Sequence, residues 1–150
     1  MKNITIAINK KASFNYTLSD FFTCGIQLKG AEIKSIRLKK VNITDAYCII
    51  EKDEVFIKNM DITQYKFCQE ELYNPKRLRK LLLTKTEIKK LKRNLDEKGM
   101  TLIPYKIFIN EKGFAKLEVA LGKGKKVHDK RESIKERDAK LEINRKIREK

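Results

Sequence analysis

Acidic side chains are in short supply in this chain, and so are histidine and cysteine. Against 36 Lys and Arg there are 20 Asp and Glu, a net charge of +16 over 150 residues. There is one histidine, His128, and there are three cysteines, Cys24, Cys48 and Cys68. One imidazole with no Cys/His pair near it, and no Gly-x-Ser-x-Gly stretch, leaves a nucleophilic or acid–base hydrolase without its parts. An odd cysteine count without Cys-x-x-Cys spacing argues against a disulfide framework and a zinc ribbon, and it fits a reduced, cytoplasmic compartment. The three thiols read as small buried hydrophobes. The longest apolar runs, such as Leu81-Leu82-Leu83, fall far short of the roughly 20 residues a membrane span needs. The N-terminus alternates apolar and polar residues and has no signal-peptide core. No metal site, cofactor or phosphate loop is expected; the glycines near residue 122 lack Walker spacing.

What is present is positive charge. It attracts anions in a salt-dependent way, with nucleic acid the first candidate and an anionic membrane face the second. The cations gather in three places: Lys34-Arg37-Lys39-Lys40, Lys76-Arg77-Arg79-Lys80, and residues 122–150. The last stretch holds twelve Lys and Arg against six Asp and Glu. So few apolar residues cannot offset the entropy of ordering, so this tail is expected to be disordered alone and ordered on a polyanion. Glu136 with Lys140, and Glu142 with Lys146, are i, i+4 pairs that support a conditional helix.

Length sets the prior at one domain. Residues 1–121 read as a barrel and 122–150 as the basic tail, with a glycine hinge between them. Ile4, Ile6 and Ile8 alternate as a strand, and residues 14–18 read as another. Ser19 offers an N-cap for a short helical turn through Phe21 and Phe22. Ile33 and Ile36 suit a short helix with Glu32 near its start. Residues 46–51 and 55–60 form a hairpin. Residues 61–74 show no period and read as a long loop, the kind that often carries function. Pro75 suits a first helical turn, so residues 77–83 read as helix. Thr84-Lys85-Thr86-Glu87 is a capping box that starts or restarts a helix ending at Gly99. Residues 101–110 and 114–121 are strands, with Pro104 marking an edge or a bulge.

The total is mainly β with short helices: an OB-type small antiparallel β-barrel of about six strands with two or three helices. The competing architecture is an α+β sandwich.

Four stretches resemble the small protein B family of tmRNA-binding (SsrA-binding) proteins. They are Leu28-Lys29-Gly30-Ala31-Glu32-Ile33-Lys34-Ser35-Ile36-Arg37, Pro75-Lys76-Arg77-Leu78-Arg79-Lys80-Leu81-Leu82-Leu83, Gly99-Met100-Thr101-Leu102-Ile103-Pro104, and the tail from Lys123-Gly124-Lys125-Lys126-Val127-His128-Asp129-Lys130-Arg131 to Ile134-Lys135-Glu136-Arg137-Asp138. The resemblance implies an OB-type barrel that binds the tRNA-like domain of tmRNA. It implies delivery of alanyl-tmRNA, with elongation factor Tu and GTP, to ribosomes stalled on non-stop mRNA. The body stands in for the anticodon arm, and the tail enters the empty mRNA channel near the decoding centre as a helix.

Carried over, Glu32, Leu82, Leu83 and Thr84 fall where the family contacts tmRNA, with Lys34, Arg37, Arg77, Arg79 and Lys80 beside them. Phe14 stands where the family has a histidine and keeps a stacking role, and Thr84 stands where the family often has His or Asn. Lys123, Gly124, Lys125, Lys126, His128, Asp129, Lys130, Arg131, Ile134, Lys135 and Arg137 fall on the segment that meets small-subunit rRNA, with the large subunit close by. Two other readings compete with this non-enzymatic adaptor: an RNA-processing enzyme using His128, and a structural ribosomal protein.

Overall fold

The computed structural model describes residues 3–125. Twelve elements follow one another: β1 (Ile4–Ile8), α1 (Lys10–Asn15), β2 (Tyr16–Ile26), α2 (Gly30–Arg37), β3 (Val41–Asn42), β4 (Tyr47–Glu51), β5 (Glu54–Lys58), β6 (Asp61–Ile62), β7 (Arg79–Leu82), α3 (Lys85–Lys98), β8 (Thr101–Ile109) and β9 (Ala115–Gly124). Seven strands form one antiparallel sheet in the order β1-β8-β9-β2-β7-β5-β4, and β3 pairs with β6 in a small second sheet. The long sheet curls until β4, at one end of the order, lies against β8, next to the other end. This is a partly open, mainly β barrel of the OB type rather than a sandwich. Its interior is filled by Ile57, Met60, Leu81, Ile107, Leu117 and Leu121, among others.

The barrel has more strands than the expected six, and the main reason is β7. Pro75 suits a first helical turn, and residues 77–83 after it read as helix. The slot between β2 and β5 instead supplies both backbone partners, with Leu81 opposite Ile26 on one side and Val55 on the other. Tertiary pairing overrides local propensity here. The expected turn after Ser19 is likewise absent. β2 runs straight through it, with a bulge between Ser19 and Phe21. Asp20 takes the positive φ of 47° at that bulge, a conformation that Asp tolerates better than most residues. Residues 10–15, part of which reads as strand, form α1.

Other local signals hold. Thr84 Oγ1 accepts from the Glu87 amide at 3.2 Å and Glu87 Oε1 accepts from the Thr84 amide at 3.0 Å, so the capping box starts α3. Gly99 closes it in the left-handed conformation, φ 62°. The hairpin is β4 and β5. Pro104 is buried inside β8 at a bulge between Pro104 and Lys106.

The barrel does not end at Leu121. Gly122, Lys123 and Gly124 remain in β9, opposite Leu18, Thr17 and Tyr16, and the Lys125 amide donates to Asn15 O at 2.9 Å. Gly122 is therefore no hinge. A Cβ there would meet the Ile103 and Tyr16 side chains, so glycine lets them pack against the strand without the end of Ile103 having to move.

Candidate nucleic-acid interface

Along β7 the side chains alternate, with Arg79 and Leu81 turned inward and Lys80 and Leu82 turned out. Putting an arginine inward demands a partner, because an unpaired buried charge is costly. That partner is Glu32, the third residue of α2. Both are enclosed, Glu32 at 1 % exposure and Arg79 at 0 %. Arg79 Nε donates to Glu32 Oε2 at 2.7 Å, and Nη2 lies 2.6 Å from the same oxygen. The rest of the guanidinium donates to Met60 O at 2.6 Å and Pro75 O at 3.0 Å. The other carboxylate oxygen, Oε1, accepts from Arg77 Nη2 at 2.6 Å and from the Lys29 amide at 2.8 Å. Burial pushes the Glu32 carboxyl up, but hydrogen bonds from Arg77, the Lys29 amide and Arg79 outweigh it and hold the group below its ordinary value. Glu32 is thus an ion at neutral pH, bonded by two cations and the first turn of its own helix.

This knot changes the roles expected of three residues. Glu32 and Arg79 do not face solvent and have no group left to offer a nucleic acid. Arg77 is one-third exposed and shares its guanidinium with Glu32. What the knot does is fasten α2 to β7 and to the loop before it. That fixes the outward residues of both elements relative to one another. On α2 these are Lys34 and Arg37, the latter donating to Gly113 O at 3.1 Å. On β7 they are Lys80, 3.2 Å from Glu54, and Leu82, 51 % exposed. Leu83 packs on the core, and the Thr84 hydroxyl is occupied in the capping box.

Phe14 lies elsewhere. It is half-buried on α1, which packs on β2 and β8, and its neighbour Asn15 accepts the Lys125 amide. The register of β2 separates the two places. Tyr16, at its start, is opposite Gly124, whereas Gly25 and Ile26, at its end, are opposite Leu82 and Leu81. Eleven strand residues span roughly 30 Å. Phe14, Lys123, Gly124 and Lys125 therefore mark one end of the barrel, and the α2–β7 knot marks the other. Lys126, His128, Asp129, Lys130, Arg131, Ile134, Lys135 and Arg137 lie outside the described residues.

Sequence reasoning missed Tyr65 and Phe67, on the loop between β6 and β7. Their rings meet edge to face at 5.5 Å, and Lys34 Nζ sits 5.5 Å from the Tyr65 centroid. An aromatic-Lys-aromatic triplet in a long aperiodic loop was the available signal.

Among the described residues no group of three or more His, Cys, Asp or Glu is placed to hold a metal ion, and no helix is long and apolar enough to cross a membrane. Burial pushes the Cys24 thiol up to about 12, with Glu87 adding to it, and raises Cys48 as well. Both thiols are protonated packing groups.

The SmpB protein family model matches residues 6–149. An SsrA-binding protein of Parabacteroides distasonis is 50 % identical over 137 residues, 91 % of this chain and 90 % of the relative. One from Cytophaga hutchinsonii is 49 % identical, over 97 % and 94 % of the two chains. A solved structure described as "tmRNA-SmpB: a journey to the center of the bacterial ribosome" superposes with a TM-score of 0.66 at 38 % identity, over 81 % of this chain and 85 % of that one. The family match takes in the α2 and β7 stretches that Glu32 ties together, the β9 strand, and the basic segment beyond it. The chain belongs to the SmpB family.

Proposed function

We propose that this chain is a non-enzymatic adaptor that binds tmRNA and carries it to stalled ribosomes. The observation that carries this reading is the two-ended barrel. One end presents a basic face whose parts are locked by a buried knot; the other holds Lys123 and Lys125, after which the sequence continues with its basic run. A molecule that must hold one RNA while touching another needs two such ends.

At the α2–β7 end, Lys34, Arg37, Lys80, Leu82 and the exposed part of Arg77 meet the tRNA-like domain of tmRNA. Glu32 and Arg79 act as positioning residues beneath them. At the other end, Lys123 and Lys125 begin a basic run through Lys126, Lys130, Arg131, Lys135 and Arg137, with the neutral His128 within it, that engages small-subunit rRNA near the decoding centre. The barrel takes the place of the absent anticodon arm, beside the large subunit, while alanyl-tmRNA arrives with elongation factor Tu and GTP. Cations along that run supply counterion release, so affinity falls with salt. The family match and the ribosomal setting of the 38 %-identical structure support the reading.

The test separates the ends. A chain ending at Lys125 keeps every sheet pair described above, whereas a cut at residue 122 would remove paired residues of β9. The chain ending at Lys125 is expected to bind a transcript of the tRNA-like domain nearly as well as the full chain, and to lose peptide tagging on stalled ribosomes. Loss of transcript binding with tagging retained would sink the two-ended assignment.

A further inference from the structure

The loop between β6 and β7 is long but built. Gln64 Nε2 brackets it from inside, donating to Glu70 O at 2.9 Å and Cys68 O at 3.4 Å. The Cys68 amide donates to Tyr65 O at 2.9 Å, and the Tyr73 hydroxyl donates to Ile62 O at 2.6 Å. Lys29, at the start of α2, reaches across to Glu70 at 3.3 Å. This frame holds Tyr65, half-buried, and Phe67, 73 % exposed, as an edge-to-face pair. Each ring carries a cation: Lys34 over Tyr65 at 5.5 Å and Lys66 over Phe67 at 5.6 Å.

Neither ring belongs to the hydrophobic core of the barrel. A protein-docking patch of this size would favour aromatics without lysine, since lysine is depleted in such interfaces. Exposed rings interleaved with cations are instead the composition of surfaces that bind unpaired nucleotides, where a ring stacks on a base and an ammonium meets the adjoining phosphate. The platform is also continuous with the proposed tmRNA face, because Lys34 stands on α2, which the Glu32 knot fixes. Resting on that reading of function, we propose that Tyr65 and Phe67, flanked by Lys34 and Lys66, take one unpaired base of the bound RNA by stacking, with the lysines on its phosphates.

The chain has no tryptophan, so Phe67→Trp places a single indole reporter at an exposed position where folding is not at stake. This variant is titrated with a transcript of the tRNA-like domain of tmRNA, and binding of the unmodified chain and of Phe67→Ala is measured across a salt series. The indole emission of the Phe67→Trp chain is expected to be quenched on binding. Phe67→Ala is expected to weaken affinity by roughly 5- to 150-fold, the range of one lost stacked base. Its salt slope should stay unchanged, whereas Lys34→Ala should lower the slope by about one. Transcript binding at full affinity by Phe67→Ala, with the indole emission of Phe67→Trp unmoved, overturns the stacking platform and leaves the adaptor reading standing. Failure of the unmodified chain to prefer the transcript over other RNA of like charge removes the adaptor reading, and the platform with it.

Discussion

Two carboxylates in this protein face a cation at the same distance. Glu32 lies 2.6 Å from Arg77, and Asp53 lies 2.6 Å from Lys92. Both groups are held below their ordinary pKa, Asp53 by the hydrogen bond and charge of Lys92, Glu32 by its donors against the opposing effect of burial. Yet one side chain is enclosed and the other is 78 % exposed, at the hairpin turn. Separation alone does not set the worth of an ion pair. In water the Asp53 pair exchanges hydration for little net gain. In the interior, Glu32 has no water to fall back on, and removing it strands Arg79. The surface pair decorates a turn, whereas the buried one decides where α2 and β7 stand.

The comparison breaks or sharpens in four measurements. Glu32→Gln leaves a buried guanidinium without its counter-ion and is expected to cost about 3–5 kcal/mol. This is read as a fall in the urea midpoint, and a midpoint within error of the parent would end the claim that the knot organises this face. The second is an acid limit. Because the folded pKa of Glu32 is depressed, its contribution is full above the unfolded carboxylate value of about 4.3. That contribution is lost as pH falls from there through the lower folded value. Unfolding midpoints recorded between neutral pH and about pH 3 should drop in that window and drop less steeply in Glu32→Gln; parallel curves would contradict this. Third, Arg77→Ala removes a partly solvated partner and leaves Arg79 in place, so a loss of about 1–2 kcal/mol is expected in the same assay. Last, Asp53→Asn should leave the midpoint where it was, and a clear fall would mean the turn matters more than its exposure allows.

The contrast also explains what the sequence discloses. Local signals with their own chemistry are legible: Thr84 and Glu87 capping α3, Gly99 ending it, and the β4–β5 hairpin around Lys52 and Asp53. Residues 77–83 are not, because leucines three and four apart fit a helix and a buried strand equally well. Only the slot between β2 and β5 decides between them. Arg79 is misleading for the same reason. An arginine in a basic run reads as surface, and the carboxylate that draws it inside stands 47 residues earlier. Ser19 has the side chain of a helix cap, but β9 pairs along β2 from Tyr16 to Gly25 and keeps it extended. Gly122 reads as a hinge from composition, while its pairing in β9 and the Ile103 side chain packed against it are visible only in three dimensions. The bipolar layout of the candidate residues follows from strand register, which no periodicity reports.

β9 lies between β8 and β2, not at an edge of the sheet. A load applied to the chain at Lys125 and directed along the strand therefore acts in shear. It is shared by the β8 and β2 ladders together, instead of unzipping one pair at a time as it would from an edge. Gly122, Lys123 and Gly124 are thus held in the middle ply of the barrel, directly before the C-terminal segment. Whatever grips that segment pulls on the body as a unit, and displacement at one end reaches α2 and β7 through a strand and its neighbour rather than through a loose joint.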